Sequence, residues 1–519
     1  MRRSLTGGAT ARLKRVTLLA CIIASGIGLL DSTIVNIALP TIQRSLGGGL
    51  AGEQWIVNAY LLTLGSLILI GGSLEDIFGA RRVFSLGVFG FGVASILCGL
   101  SPSIGVLVAC RALQGVAGAL LVPSSLAVIV ATFPEAERGR AVGTWTAFTT
   151  VASVIGPLAG GVLLAVASWR WLFFINVPFV AVCLALILRV IPAATPTATQ
   201  RSVDLRGGLL CMLGLGGTVF ALIEETRLGW SSPAVLIPFA GGALALCVFV
   251  VAERSTHDPM LPLGLFSRRN FAVANAETLV VYAGLAVLIL FLVLFLQQVA
   301  GYSPLNSGLA MLPVTVVMFV CSRGFGALAS RLGPRAFMSL GPLVGAGGLL
   351  LMLRVGVHAR YLADLLPAII VFGLGLSMTV APLTAAVLAD IDTRQAGIAS
   401  AVNNAIARVA GLVGTAAVGS VLAGTFAASL DSRLVGVKLG TAARAAELAA
   451  KHLVLGHASV AQLPPAQARA LVAATNAASL SSFHLAIVIA ASLLAIGGLA
   501  GAAGIENPGP DQRGGLTAG

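Results

Sequence analysis

Apolar residues dominate this chain in blocks of about twenty or more, the length a helix needs to cross a bilayer. Short clusters of Arg, Asp, Gly and Pro separate the blocks. By that length the pattern predicts helical spans at 16 to 38, 55 to 74, 83 to 101, 104 to 131, 139 to 164, 171 to 190, 207 to 226, 233 to 252, 272 to 298, 307 to 330, 336 to 354, 362 to 388, 396 to 424 and 484 to 503. The expectation is therefore an all-α polytopic membrane protein with fourteen spans. The connections are tight with two exceptions. One is the Pro/Thr-rich stretch at 192–200, read as a linker. The other is an Ala-rich stretch at 425–483, interrupted by Pro464 and Pro465, which predicts short amphipathic helices outside the membrane.

Composition supports this class. Over 519 residues, 57% are hydrophobic and only 10% charged, with a mean hydropathy of +0.99, against about 25% charged in ordinary soluble domains. The 62 glycines suit close helix approach in lipid, where apolar burial no longer drives association. The basic N-terminus, with Arg2, Arg3, Arg12, Lys14 and Arg15, resembles a signal peptide, but the run that follows is too long and contains Asp31, so it reads as a retained first helix.

Charge sets the expected orientation. The tails and alternate loops, carrying for example Arg81, Arg82, Arg138, Arg254, Arg268 and Arg335, hold 19 basic residues; the opposite loops hold 10, five of them in 425–483, where the rule has little force. Both termini are expected in the cytoplasm of a plasma-membrane protein. The net charge of +13 forms no stripe or module for nucleic acid, so lipid headgroups are the expected partner. Seven cysteines lie in apolar segments without CxxC spacing, and the five histidines are dispersed, so neither a disulfide framework nor a metal site is indicated.

A few polar residues interrupt the apolar blocks. Asp31, in LDSTIVNIALP, lies about 22 Å along a first helix that begins at Val16, in its outer half. Low dielectric penalises the ionised form of any carboxylate, so an embedded one is a candidate proton acceptor; a packed polar contact is the plainer alternative. Arg111, in CRALQGVAG, either draws an acidic substrate or a nearby carboxylate, or bonds backbone carbonyls as a structural residue. Glu277 is the most credible second ionisable site. Arg323 and Arg408 equally suit snorkelling to the interface. Gly156, Pro157, Gly160 and Gly161 in VIGPLAGGVLL predict a helix that bends and packs closely. Asp76 with Gly79, Arg81 and Arg82 in GSLEDIFGARR forms either a conformational latch or an ordinary charged loop. No P-loop, HExxH or GxSxG element is present, so no enzyme and no cofactor is expected, and ions, most simply H⁺, are the expected energy source.

Together these stretches resemble the major facilitator superfamily, and within it the fourteen-span drug:proton antiporter branch of QacA-like and EmrB-like exporters. The resemblance rests on LDSTIVNIALP, EQWIVNAYLLTLGSLILIGG, GSLEDIFGARR, LVACRALQGVAGA, AVASVIGPLAGG, SWRWLFFINVPF, QQVAGYSPLNSGLAMLP and ASAVNNAIARVAG, in that order. Departures are Ile77 where the loop motif usually has a basic residue and Ala152 where a glycine is common. The resemblance implies two pseudo-symmetric six-helix bundles, at 16–190 and 272–503, with two extra helices at 207–252 between them, cytoplasmic linkers at 191–206 and 253–271, and tails at 1–15 and 504–519. It implies proton coupling through Asp31 and Arg111; with Glu277, read as the second ionisable site, these are the candidates for proton coupling or the substrate cavity, with a latch of Gly72, Asp76, Gly79, Arg81 and Arg82, and Trp55, Tyr60, Asn36, Asn403, Asn404 and Arg408 as candidate cavity-lining residues. The implied function is proton-driven export of drugs, antibiotics or other small amphipathic compounds by a monomer. A dedicated exporter of a metabolite, amino acid or siderophore fits the same scaffold. A non-transporting assembly or sensor is disfavoured by the embedded charges, and an importer by the fifth-helix motif.

Overall fold

The computed structural model describes residues 7–190, 203–257, 259–388, 391, 396–437, 439–451, 455, 460 and 463–507. Their regular structure is helical: α1 Gly7–Leu46, α2 Gly49–Phe78, α3 Ala80–Leu100, α4 Ile104–Thr132, α5 Glu135–Val166, α6 Trp171–Phe174, α7 Asn176–Val190, α8 Leu205–Leu228, α9 Pro233–Ser255, α10 Arg269–Gln298, α11 Pro304–Leu332, α12 Pro334–Leu351, α13 Leu366–Leu388, α14 Ala396–Leu434, α15 Thr441–Lys451 and α16 Pro465–Gly504. Among the described residues, thirteen helices are long and apolar enough to cross a membrane. The remaining expected span, 139 to 164, falls on α5, a 32-residue helix whose shorter apolar stretch is Ile155–Val166.

Large apolar side chains stay exposed on the flanks of these helices, as at Leu86, Phe89 and Leu100 of α3 and Ile237, Leu244 and Val251 of α9. In water so much apolar surface would be an aggregation hazard; toward hydrocarbon it is the ordinary outer face.

The chain divides into two compact units. The first comprises Met1–Gly48, Trp55–Gly217 and Gly241–Leu261. In it α3 lies along α4, and α1 packs on α5, α7 and α4, around Phe84, Phe91, Leu121, Cys183 and Ile187. The second comprises Gly49–Gln54, Thr218–Ala240 and Pro262–Gly519. Its helices pair as α12 with α13, α10 with α16 and α14, and α11 with α13.

Several boundaries differ from the apolar blocks. α1 continues through Pro40 to Leu46, because one lost backbone bond leaves the flanking turns intact. The expected span at 171 to 190 is divided at Ile175 into α6 and α7. The 425–483 connection holds one short helix, α15, while α14 and α16 extend into it, since alanine favours helix wherever nothing interrupts it. Pro465 opens α16 at its first turn, where a missing N–H is no loss. Lys451 pairs with Asp431 of α14 and with Glu447 one turn earlier, tying α15 down. Most of the linker expected at 191–206 and of the tail expected at 504–519 lies outside the described residues, as does Arg394.

Candidate functional site

Asp31 and Arg111, 80 positions apart in sequence, meet inside the first unit. Arg111 Nη1 lies 2.5 Å from Asp31 Oδ2, and the residues are 1% and 0% exposed. The carboxylate is not left to one partner. Gln114 Nε2 donates to Asp31 Oδ1 at 3.0 Å and Asn176 Nδ2 donates to the same oxygen at 3.1 Å. Both amides also donate to Ser95 Oγ, at 2.9 and 3.3 Å. Arg111 is held in turn: Nη1 donates to Gln114 Oε1 at 2.6 Å, Nε donates to the Ile56 carbonyl at 3.1 Å, and the guanidinium lies 4.4 Å from the Tyr60 ring centroid.

Five helices supply this cluster. Arg111 and Gln114 are three residues apart on α4 and so share one face. α4 can approach α2 because Gly115 has no side chain: a Cβ there would collide with the Thr63 hydroxyl and the Tyr60 carbonyl. Thr63 Oγ1 donates to the Ala112 carbonyl at 2.8 Å, pinning the same crossing. Asn176 opens α7 directly after the turn at Ile175. One of its atoms stays idle: Asn176 Oδ1 is buried without a hydrogen-bond partner. A buried ion pair satisfied on both sides tolerates its burial, whereas losing one partner strands a charge.

Other residues singled out in the sequence have different surroundings. Glu277, on α10 in the second unit, lies outside the Asp31 network; it is fully buried, and neither carboxylate oxygen has a hydrogen-bond partner. Gly79 adopts φ +87° between α2 and α3, a left-handed backbone that favours glycine. Arg81 Nη2 donates to the Leu188 carbonyl near the end of α7 at 2.9 Å, Arg82 is exposed, and Gly72 has open space where a Cβ would stand. The Asp76 side chain lies outside the described residues.

On α5, Gly156 and Gly160 lie against α1: side chains there would strike Thr33 and Ile34, next to Asp31, while Gly161 is buried and Pro157 half-buried. Tyr60 is buried over Arg111 and Trp55 is half-buried. Asn36 Nδ2 donates to the Ser32 carbonyl within its own helix at 2.9 Å, and Asn404, exposed, bonds the Ser400 carbonyl in the same manner. Asn403 Nδ2 bridges from α14 to α10, donating to Asn275 Oδ1 at 3.0 Å and Thr278 Oγ1 at 2.7 Å. Arg408, half-buried on α14, acts electrostatically on Tyr282.

Sequence reasoning missed Gln114, Ser95 and Asn176 as site residues. The three-residue step from Arg111 was a usable signal for Gln114. Nothing local distinguishes Ser95 from an ordinary helix polar residue; for Asn176 the signal was Pro178 two residues on, which marks a helix start.

The sequence profile of the Major Facilitator Superfamily matches residues 21–415. A puromycin resistance protein, pur8, of Streptomyces alboniger is 40% identical over 408 residues, covering 77% of this chain and 80% of that protein. The multidrug resistance protein Stp of Mycobacterium tuberculosis is 36% identical over 423 residues, covering 80% and 78%. Among solved structures, an inward-facing, unoccupied bacterial homologue of the human lysosomal transporter Spinster superposes with a TM-score of 0.66 at 16% identity, covering 96% of this chain and 99% of that one, a likeness of fold.

Proposed function

The chain belongs to the Major Facilitator Superfamily, and from that premise we propose that it exports antibiotics, drugs or other small amphipathic compounds in exchange for protons, as a member of the fourteen-span drug:proton antiporter branch. The observation that carries this reading is the Asp31–Arg111 pair, wholly buried and bonded on every side inside membrane-spanning helices. Embedded charges that pair with one another are the usual mark of an ion pathway. Kinship with proteins named for puromycin and multidrug resistance supplies the direction and the class of cargo.

The chemistry follows from the bonds. A proton reaching Asp31 Oδ2 removes the negative charge that Arg111 faces. Arg111 keeps Gln114, the Ile56 carbonyl and the Tyr60 ring, so it stays in place with its positive charge uncompensated. That change biases the bundle between two arrangements, with protonation from outside favouring cargo release and deprotonation toward the cytoplasm allowing rebinding. A cationic cargo would compete with the proton for the same carboxylate. In this scheme α5 falls at the fifth of fourteen spans, α8 and α9 are the two added helices between six-helix bundles, and both termini are cytoplasmic. The bend-prone run Gly156, Pro157, Gly160 and Gly161 seals against α1, the segment from Gly72 to Arg82 serves as a latch, and the carrier works as a monomer.

The test is uptake of radiolabelled puromycin, alongside a panel of amphipathic drugs, into inside-out vesicles with an imposed proton gradient. Accumulation that an uncoupler abolishes is the expected result. Failure of every compound to accumulate, with the protein folded and inserted, would refute the reading.

A further inference from the structure

Among the described residues, three buried glutamates are left idle by the scheme above: Gln298 Nε2 donates to Glu53 Oε1 at 3.1 Å and the Leu261 amide donates to Glu253 Oε2 at 2.6 Å, whereas neither oxygen of Glu277 has a partner. Glu277 lies about 12 Å from the start of α10, at 1.5 Å per residue, within the span Arg269–Gln298. Its surroundings are apolar and tight. On α16, a Cβ at Gly497 would stand 3.5 Å from Glu277 Cγ, and one at Gly501 would stand 2.9 Å from Glu277 Oε2 and 2.8 Å from the Met338 carbonyl of α12. Any side chain at Gly501 would push the carboxyl group aside, so these glycines make the recess in which it lies.

No counter-charge enters that recess among the described residues. The helices packed on α10 carry Arg323 and Arg331 on α11, Arg408, Asp431 and Arg433 on α14, and Arg469 and His484 on α16; Leu366–Leu388 of α13 carries no charge, and α12, which brings Met338 to the recess, carries Arg335, whose Nε donates to the Ala502 carbonyl at 2.9 Å. None of them bonds Glu277. Arg408 acts on Tyr282, His484 Nε2 meets the Val355 carbonyl at 2.9 Å, and at the foot of α10 Arg269 pairs with Glu506. Arg268 stands at the N-cap of α10, and the short turn Leu263–Ser267 packed there has no charged residue.

An ionised carboxylate in such a place, with neither a bond nor a counter-charge, would be strongly disfavoured. Asp31 shows the opposite design, a carboxylate surrounded by donors. We propose that Glu277 is a second proton site, neutral while α16 is packed on α10 and released only when that seam parts, so that each turnover moves two protons. The proposal rests on the proton-coupled export reading. In the step itself the carboxyl O–H bond breaks, its electron pair stays on the carboxylate, and the proton passes to water entering the recess. The glycines exclude that water in the packed state, which ties proton release to helix movement rather than to bulk pH alone.

The experiment is Glu277→Gln in proteoliposomes, with the membrane potential clamped at zero and a fixed pH gradient driving puromycin. Two protons per cargo support accumulation of about 100-fold per pH unit and one supports about 10-fold. The wild type is expected at the higher ratio, and the variant at the lower ratio with puromycin counterflow retained. An unchanged ratio in the variant overturns the proposal. Infrared difference spectra separate this from a folding defect: the wild-type-minus-Glu277→Gln difference at neutral pH should carry a protonated-carboxyl C=O band, whatever the buried Glu53 and Glu253 contribute to each spectrum, and the same difference should persist in an Asp31→Asn background. A wild-type-minus-Glu277→Gln difference without that band also overturns the proposal. If the wild type accumulates no puromycin, the export reading fails while the infrared result still decides the state of Glu277.

Discussion

At the residue scale, the first unit turns on one carboxylate and the three side chains that hold it. Asp31→Asn keeps the shape and removes the charge, so uphill export should vanish while membrane insertion persists; vesicle accumulation that survives in this variant would take Asp31 out of the coupling role. Arg111→Lys should also uncouple, although its charge is kept. A single ammonium cannot reproduce the planar fork that meets Asp31, Gln114 and the Ile56 carbonyl while lying over Tyr60. Transport at wild-type proton stoichiometry in that variant would count against the geometric argument. Arg111→Ala goes further and leaves a buried carboxylate unpaired, a loss of about 3–5 kcal/mol. It should read as a lowered unfolding midpoint in detergent that Asp31→Asn, added in the same chain, partly restores. Asp31 and Arg111 were legible as candidates because each breaks an apolar block. Gln114, Ser95 and Asn176 were not, because a helix gives serine, asparagine and glutamine many bland uses and only the partner helices select one.

At the element scale, helix crossings decide what those residues touch. Gly115 lets α4 reach α2 closely enough for Arg111 to bond Ile56 and stack on Tyr60. Gly115→Val should overpack this crossing by about 1–3 kcal/mol, lowering the unfolding midpoint and the transport rate together. A variant with wild-type values of both would show that the crossing has slack. Gly156 and Gly160 serve a related purpose on α5, giving Thr33 and Ile34 room beside Asp31. The sequence pointed to these glycines as a flexible motif, and the packing adds which neighbour they admit. The turn at Ile175 was not read from the sequence, although Pro178 interrupts the apolar block three residues on, and α7 begins after it with Asn176 bonded to Asp31.

At the scale of the whole molecule, thirteen long apolar helices among the described residues, together with α5, give the count on which topology depends. With fourteen crossings and cytoplasmic termini, Arg82→Cys and Arg254→Cys should react only with a thiol reagent that reaches the cytoplasmic side. Arg354→Cys and Leu448→Cys should react only from outside, all four in a background with the seven native cysteines replaced. Any site labelled from the wrong side would break the proposed topology. Leu448 belongs to α15, so its labelling also tests whether the connection after α14 lies outside the cell.

The amino-acid order alone determined that this is a helical membrane protein and where its membrane-crossing segments fall, because crossing hydrocarbon demands long apolar helices whatever their neighbours. It also exposed Asp31, Arg111 and Glu277, since a charge in such a helix is conspicuous without any knowledge of the fold. What those charges meet was decided only by tertiary packing. Asp31 and Glu277 look alike in sequence, each an acid within an apolar run, yet one is surrounded by an arginine and two amides and the other rests against glycine without a partner. The difference lies in packing: the partners come from helices far apart in the chain, and only their arrival decides whether a buried carboxylate finds donors or none.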